Sequence, residues 1–159
     1  LEPLIHGGES TTIYRSGTPT VALAASLETA LEAAVGELPA RTARVKEANA
    51  FLRDALSRYP KVHINSPENA IPHILNLSVE NVKGTVFQRE LDAEGVCVSV
   101  KSACSSDGLP SRAVFAVSRD RRNALSSWRI SLSHLTTQEE LNGFLHAFDA
   151  CYTRLTRPQ

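Results

Sequence analysis

The sequence predicts a small α+β domain preceded by connecting helices. Apolar residues recur at helical spacing over residues 18–59, the pattern changes to strict alternation from Val62, and a strongly amphipathic helix follows Thr137. Hydrophobic residues make up 42% of the 159 residues and charged residues 21%. These proportions are ordinary for a soluble globular protein and allow one sizeable core.

Two helices, interrupted at Gly36 and Pro39, are expected over residues 18–59. Pro19 suits the first turn of the first helix, and Pro60 ends the second. Their apolar faces are expected to include Ala24, Leu27, Leu31, Ala34, Val45, Ala48, Leu52 and Ala55. Such stripes indicate that both helices bury one side.

About four short strands in a small sheet are expected after these helices. The alternating segments lie at 62–64, 75–79, 96–100 and 128–132. Helices near 84–94 and 111–118 are expected to pack against the sheet. The last helix is the strongest helical signal, because Thr136-Thr137-Gln138-Glu139-Glu140 offers two overlapping capping boxes at its start.

Charge and cysteine content exclude several classes of protein. The 17 basic residues balance the 17 acidic ones, which gives no support for a nucleic-acid or membrane surface. The apolar runs are far shorter than the roughly 20 residues that cross a bilayer. Three cysteines at unrelated spacings do not form a disulfide framework, so a cytoplasmic location is expected. The absence of methionine suggests a piece of a longer protein.

One thiol has an unusual setting. Cys104 is surrounded by serines, an aspartate and a glycine, which is typical of an exposed loop. Lys101 and Arg112 are expected to lower its pKa from the ordinary value of about 8.5. Because an exposed free thiol is a liability, a reactive function is favoured over an incidental cysteine. Cys97 and Cys151 are expected to be small packing residues.

Two arginines suit anion binding, although each has a simpler interpretation. Arg15-Ser16-Gly17-Thr18 precedes a predicted helix, where free N–H groups attract anions, but an N-cap with an exposed arginine is favoured from these residues alone. Arg129 on a predicted strand suits bidentate binding of a carboxylate, but an outward polar residue is favoured on pattern alone. No histidine pair has metal-ligand spacing, so no metal site is expected.

Five motifs in order resemble the C-terminal region of NifS/IscS-type cysteine desulfurases, which are pyridoxal-phosphate enzymes of the class V aminotransferase group. The motifs are Ile5-His6-Gly7-Gly8, Arg15-Ser16-Gly17-Thr18, Lys101-Ser102-Ala103-Cys104-Ser105-Ser106, Trp128-Arg129-Ile130-Ser131-Leu132-Ser133 and Leu135-Thr136-Thr137-Gln138-Glu139-Glu140. Each is weak alone, but the ordered set is specific and spans almost the whole chain. The resemblance implies the small C-terminal domain of a fold-type-I enzyme. Residues 1–17 would be a remnant of the large cofactor domain, 18–59 connecting helices and 60–159 the small domain.

The resemblance also implies the roles of individual residues. L-cysteine would lose its sulfur to Cys104 as a persulfide, leaving L-alanine, and Arg129 would bind the substrate carboxylate. Thr18 would reach the phosphate of pyridoxal 5'-phosphate in the neighbouring subunit of a homodimer, and Arg15 would shape that loop. The covalent lysine would lie upstream of Ile5, so this chain alone is expected to be inactive. Implied acceptors are an iron–sulfur scaffold or a tRNA-thiolation protein.

Two other functions remain open. A selenocysteine lyase or another class V transferase would keep the fold, although an aminotransferase needs no thiol like Cys104. A stand-alone domain that carries sulfur or binds proteins would need no cofactor lysine. Reaction rates on cysteine and selenocysteine, and the coding sequence upstream of Leu1, would distinguish these functions.

Overall fold

The computed structural model describes residues 2–8, 12, 14–101 and 109–157. By contacts the chain divides into two compact units, Leu1–Pro39 and Ala40–Gln159. The described elements are α1 (Val21–Leu56), β1 (Val62–Ile64), β2 (Ile74–Val79), α2 (Gly84–Ala93), α3 (Arg112–Ser118), α4 (Arg121–Ser126), β3 (Ser127–Ser131) and α5 (Gln138–Thr156). This arrangement confirms the predicted α+β class. None of the described helices combines the length and apolar character needed to cross a bilayer.

A single helix takes the place of the two that the sequence predicts. α1 runs from Val21 to Leu56 and contains both Gly36 and Pro39. A proline inside a helix removes one N–H donor and costs about 3 kcal/mol. The long flanking runs of alanine, leucine and glutamate favour the helix on both sides, so the expected interruption was wrong. The boundary between the two compact units nevertheless follows Pro39.

Three antiparallel strands in the order β1-β2-β3 form the sheet of the described part, not the four that were expected. The alternating segment 96–100 makes only an isolated bridge, between Ser99 and Arg129. Two of its other backbone groups bond to α2 instead: Val96 N donates to Leu91 O (2.9 Å), and Val98 O accepts from Gln88 Nε2 (2.9 Å). These two groups lie on the edge of the segment that faces away from β3, and within the described residues the segment pairs with β3 only through Ser99.

One face of the sheet forms the core of the second unit. Leu75, Leu77 and Val79 of β2 are fully buried, as is Trp128 of β3. They join an apolar cluster whose aromatic members from the helices include Phe87, Phe144 and Phe148. Because side chains alternate along a strand, the residues between them face the other side of the sheet. That second face is polar and carries the candidate site.

Helix capping explains one predicted helix and one that was missed. Thr137 and Glu140 form the expected capping box of α5, with Thr137 Oγ1 accepting from Glu140 N (3.2 Å) and Glu140 Oε2 accepting from Thr137 N (2.8 Å). The short helix α4 was not predicted. Asp120 caps it by accepting from the backbone N–H groups of Arg122 (2.7 Å) and Asn123 (3.1 Å). An aspartate at this position is an N-cap signal that the sequence did contain.

The contact between α2 and β3 depends on Gly84. A Cβ at this position would lie against the carbonyl oxygen of Ser127 and 3.1 Å from its carbon. We expect Gly84→Ala to lower the free energy of unfolding by about 1–3 kcal/mol, because backbone must move to make room. Gly143→Ala in α5, where a Cβ meets no atom within 4 Å, should instead raise stability by about 0.5–1 kcal/mol. Urea unfolding followed by circular dichroism measures both; a stable Gly84→Ala variant would contradict the close approach.

Candidate functional site

A cleft of about 640 Å³ opens on the polar face of the sheet, within the second unit. The described residues that line it are His63, Asn65, Ser66, Pro67, Ile74, Asn76, Val100, Lys101, Leu109, Pro110, Ser111, Arg112, Ala113, Val114, Val117, Ser118 and Arg129. Arginine and lysine are the charged residues of this described lining, which contains no aspartate or glutamate. The cleft therefore suits an anionic group.

Arg129 is a half-buried cation of the cleft. Both polar groups of its backbone bond to Ser99: its N–H donates to Ser99 O (2.6 Å), and its carbonyl accepts from Ser99 N (3.1 Å). Its Nε is buried and has no hydrogen-bond partner among the described residues. A buried donor without a partner is costly, and such a group in a structure needs an explanation. A bound carboxylate would supply the missing acceptor, since a guanidinium and a carboxylate match in geometry.

Cys104 lies outside the described residues, so the structure does not place it. The residues on either side of segment 102–108 do have positions, and both Lys101 and Leu109 line the same cleft as Arg129.

The two described cysteines differ from one another. Cys151 is fully buried in the core, as expected of a packing residue, and burial raises the pKa of its thiol. It is therefore protonated near neutral pH and poorly suited to act as a nucleophile. Cys97 was also expected to pack, but it is exposed, with its Sγ 4.0 Å from Asp92 Oδ1. It is exposed because it lies on the outward phase of the segment, between Val96 and Val98, which pack against the core.

The loop from Arg15 to Thr18 lies in the first unit. It is tied to the start of the chain by Ser16, whose N–H and Oγ donate to Ile5 O (3.3 and 3.4 Å). Gly7 permits this approach, since a Cβ there would lie 2.7 Å from Ser16 Oγ. Because α1 begins only at Val21, Thr18 does not cap it, and that interpretation was wrong.

The side chains of Arg15 and Thr18 are exposed, and no hydrogen bond or ion pair among the described residues involves them. Gly17 between them has a φ of 116°, which glycine adopts without strain. A guanidinium and a hydroxyl group so placed have the donor chemistry that a phosphate group requires. The residues present therefore fit a role in phosphate binding.

A network of asparagine side chains, which the sequence did not reveal, extends from the lining of the cleft to α4. Asn65 Nδ2 donates to Asn76 Oδ1 (2.8 Å) and to Ser78 Oγ (2.8 Å), and Asn65 Oδ1 accepts from Asn123 Nδ2 (2.7 Å). The network joins the end of β1, two positions of β2 and the helix α4. It fixes the polar face of the sheet on which Arg129 stands.

Comparison with known proteins identifies the family. The family model described as aminotransferase class-V matches residues 5–144. The cysteine desulfurase IscS of Dictyoglomus turgidum is 35% identical over 158 residues, which cover 98% of this chain and 40% of that protein. A NifS-like protein from Rickettsia africae has a similar structure, with a TM-score of 0.77 and 27% identity over 95% of this chain and 40% of its own.

A second solved structure, of a NifS-like protein, gives a TM-score of 0.76 at 30% identity and covers 98% of this chain and 39% of its own. The chain thus spans about 40% of the length of the relatives that it matches. The family match covers most of the residues of the chain, from Ile5 into α5. On this match, the chain belongs to the class-V aminotransferase family.

Proposed function

We propose that this chain is the part of a pyridoxal-phosphate-dependent cysteine desulfurase that binds the substrate carboxylate and carries the sulfur. The observation that supports this most is the half-buried Arg129, whose Nε has no hydrogen-bond partner among the described residues, in a cleft that both flanks of the Cys104 segment line. Relatives matched over almost the whole chain bear the name cysteine desulfurase. Because the chain spans about 40% of those relatives, the substrate, the cofactor and the acceptors are all part of the proposal.

Pyridoxal 5'-phosphate would supply the electron-withdrawing group that activates the bonds at the substrate α-carbon. Arg15 and Thr18 of this chain would hold the cofactor phosphate. In a homodimer, this phosphate would belong to the cofactor bound in the neighbouring subunit. The lysine that attaches the cofactor would come from sequence outside these 159 residues. In this proposed organisation, residues 1–17 belong to the large cofactor domain and residues 60–159 form the small domain. Residues 18–59 connect the two domains.

Arg129 would orient L-cysteine by its carboxylate, since the N–H and the carbonyl of its own backbone are both held by Ser99. The Cys104 thiolate would attack the substrate sulfur, forming the S–S bond of a persulfide while the Cβ–S bond of the substrate breaks. The electron pair of that bond would stay with the substrate, which takes up a proton and leaves as L-alanine. The thiol must meet both the substrate and a sulfur acceptor, and the described flanks of segment 102–108, Lys101 and Leu109, line the cleft in which Arg129 lies. The acceptor is proposed to be a protein that assembles iron–sulfur clusters or thiolates tRNA.

The complete product of the gene tests the proposal. Supplied with pyridoxal phosphate, L-cysteine and a reducing thiol, it should release alanine and sulfide in equal amounts. Omitting the cofactor should abolish both products. Alanine without sulfide, or neither product at any cysteine concentration, would contradict the proposed reaction.

Replacing Arg129 tests its role in carboxylate binding. In the same assay, Arg129→Gln should raise KM about tenfold to a hundredfold, because a charge-assisted hydrogen-bonded pair is lost. Cofactor absorbance should not change. Arg58→Gln is the matched control, since Arg58 pairs with Asp54 (2.8 Å) on the exposed surface after α1. A KM of Arg129→Gln equal to that of the control would show that Arg129 is only a surface residue of the strand.

A further inference from the structure

Asn76 lies directly opposite Arg129 on the neighbouring strand. The two residues do not exchange backbone hydrogen bonds, since Arg129 uses both its N–H and its carbonyl on Ser99. Asn76 N donates to Ser66 Oγ (2.9 Å), and Asn76 O accepts from Asn65 N (2.8 Å). They are therefore a non-hydrogen-bonded antiparallel pair, the kind in which opposite side chains come closest.

The hydrogen-bond network fixes which way the Asn76 amide is turned. Ser78 Oγ donates its single proton to the backbone carbonyl of Asn123 (3.1 Å), so it can only accept from Asn65. Asn65 must then turn its Nδ2 towards Ser78, and the same Nδ2 also donates to the side-chain oxygen of Asn76. Asn76 consequently turns Oδ1 towards Asn65 and Nδ2 away from it.

Asn76 Nδ2 takes part in no hydrogen bond within the described part of the chain. Asn76 and Arg129 line the same cleft, and its described lining contains no acidic side chain. An amide donor thus stands beside a guanidinium donor that also lacks an acceptor. Two adjacent donors of this kind match the two oxygen atoms of one carboxylate.

We propose that Asn76 is a second carboxylate-binding residue, whose Nδ2 donates to the substrate carboxylate that Arg129 holds. Its register opposite Arg129 fixes the rotation of the carboxylate and selects a free acid over an amide or ester. A ligand with an amide in place of the carboxylate would turn an N–H group towards Asn76 Nδ2 or Arg129, and two donors cannot form a hydrogen bond with each other. The inference rests on the carboxylate-binding role that the proposed function gives to Arg129.

Binding to the chain itself tests this without any turnover. Amide resonances of the ¹⁵N-labelled chain are followed during titration with L-alanine and with L-alaninamide, which differ only at the carboxylate. Alanine should shift cleft resonances and alaninamide should not. Asn76→Ala should weaken alanine binding by about tenfold. Asn76→Asp should remove it, because a carboxylate there pairs with Arg129 while its oxygen still accepts from Asn65.

Asn142→Ala is the matched control. Asn142 is an exposed amide of α5 that accepts from Gln138 Nε2 (3.1 Å) and does not line the cleft, so alanine should bind this variant as it binds the wild type. Wild-type affinity in both Asn76 variants, with loss in Arg129→Gln, would overturn the inference and leave the proposed function standing. Wild-type affinity in Arg129→Gln, or equal responses to alanine and alaninamide, would overturn the carboxylate site as a whole.

Discussion

Replacing Trp128 with alanine is expected to lower the free energy of unfolding by about 3–5 kcal/mol. Trp128 is fully buried, is stacked on Phe87 with a centroid distance of 5.1 Å and an interplanar angle of 13°, and is near Phe148 at 6.1 Å. The substitution leaves a cavity at the centre of this cluster. Since domains of this size are stable by only about 5–15 kcal/mol, most of the margin would be lost.

Trp128→Phe separates the packing of the ring from the polar atom that it carries. Trp128 Nε1 is buried without a hydrogen-bond partner in the described part of the protein. Phenylalanine keeps an aromatic ring on Phe87 and removes this unpaired donor, whose burial costs about 1–3 kcal/mol. It should therefore cost much less than alanine. Because Trp128 is the sole tryptophan, urea unfolding must be followed by circular dichroism; equal losses in both variants would contradict the packing argument.

Much of the fold was predictable because burial and capping act locally. The alternation around Trp128 predicted β3, since one face of a half-buried strand must be apolar. The capping box at Thr137 located the start of α5. The pattern at 96–100 was misleading because alternation reports where side chains are buried, not how far a segment pairs with its neighbour. Within the described residues this segment pairs with β3 only through Ser99.

The candidate site was only partly predictable, since its geometry depends on strand register. The sequence placed Arg129 on a strand. It did not reveal that Arg129 Nε is buried without a hydrogen-bond partner among the described residues. Asn65 is 11 positions from Asn76 and 58 from Asn123, so no local pattern connects them. Only the pairing of β2 with β3 brings Asn76 opposite Arg129. The sequence showed Asn76 only as a polar residue on the outward side of a strand. Most sheets have such residues, so this signal did not identify a site.

Cys104→Ala is expected to lower sulfide release from L-cysteine by at least about a thousandfold in the complete gene product. Without the thiol, the substrate sulfur has no nucleophile to accept it. Cofactor absorbance and the KM effect of Arg129→Gln should not depend on Cys104, because the proposed carboxylate-binding residue lies on β3. Mass spectrometry of the wild type after brief exposure to cysteine should show one added sulfur atom on the peptide that contains Cys104.

Cys97→Ala is the matched control, because Cys97 is an exposed thiol only seven positions along the chain. If any exposed thiol of the chain could accept the substrate sulfur, the two variants would lose similar activity. If the position matters, Cys97→Ala should retain wild-type sulfide release while Cys104→Ala loses it. Cys151 gives no ambiguity, since it is buried and the raised pKa of its thiol keeps it protonated near neutral pH. Full activity in Cys104→Ala would remove the thiol from the mechanism and favour a class V enzyme that needs none.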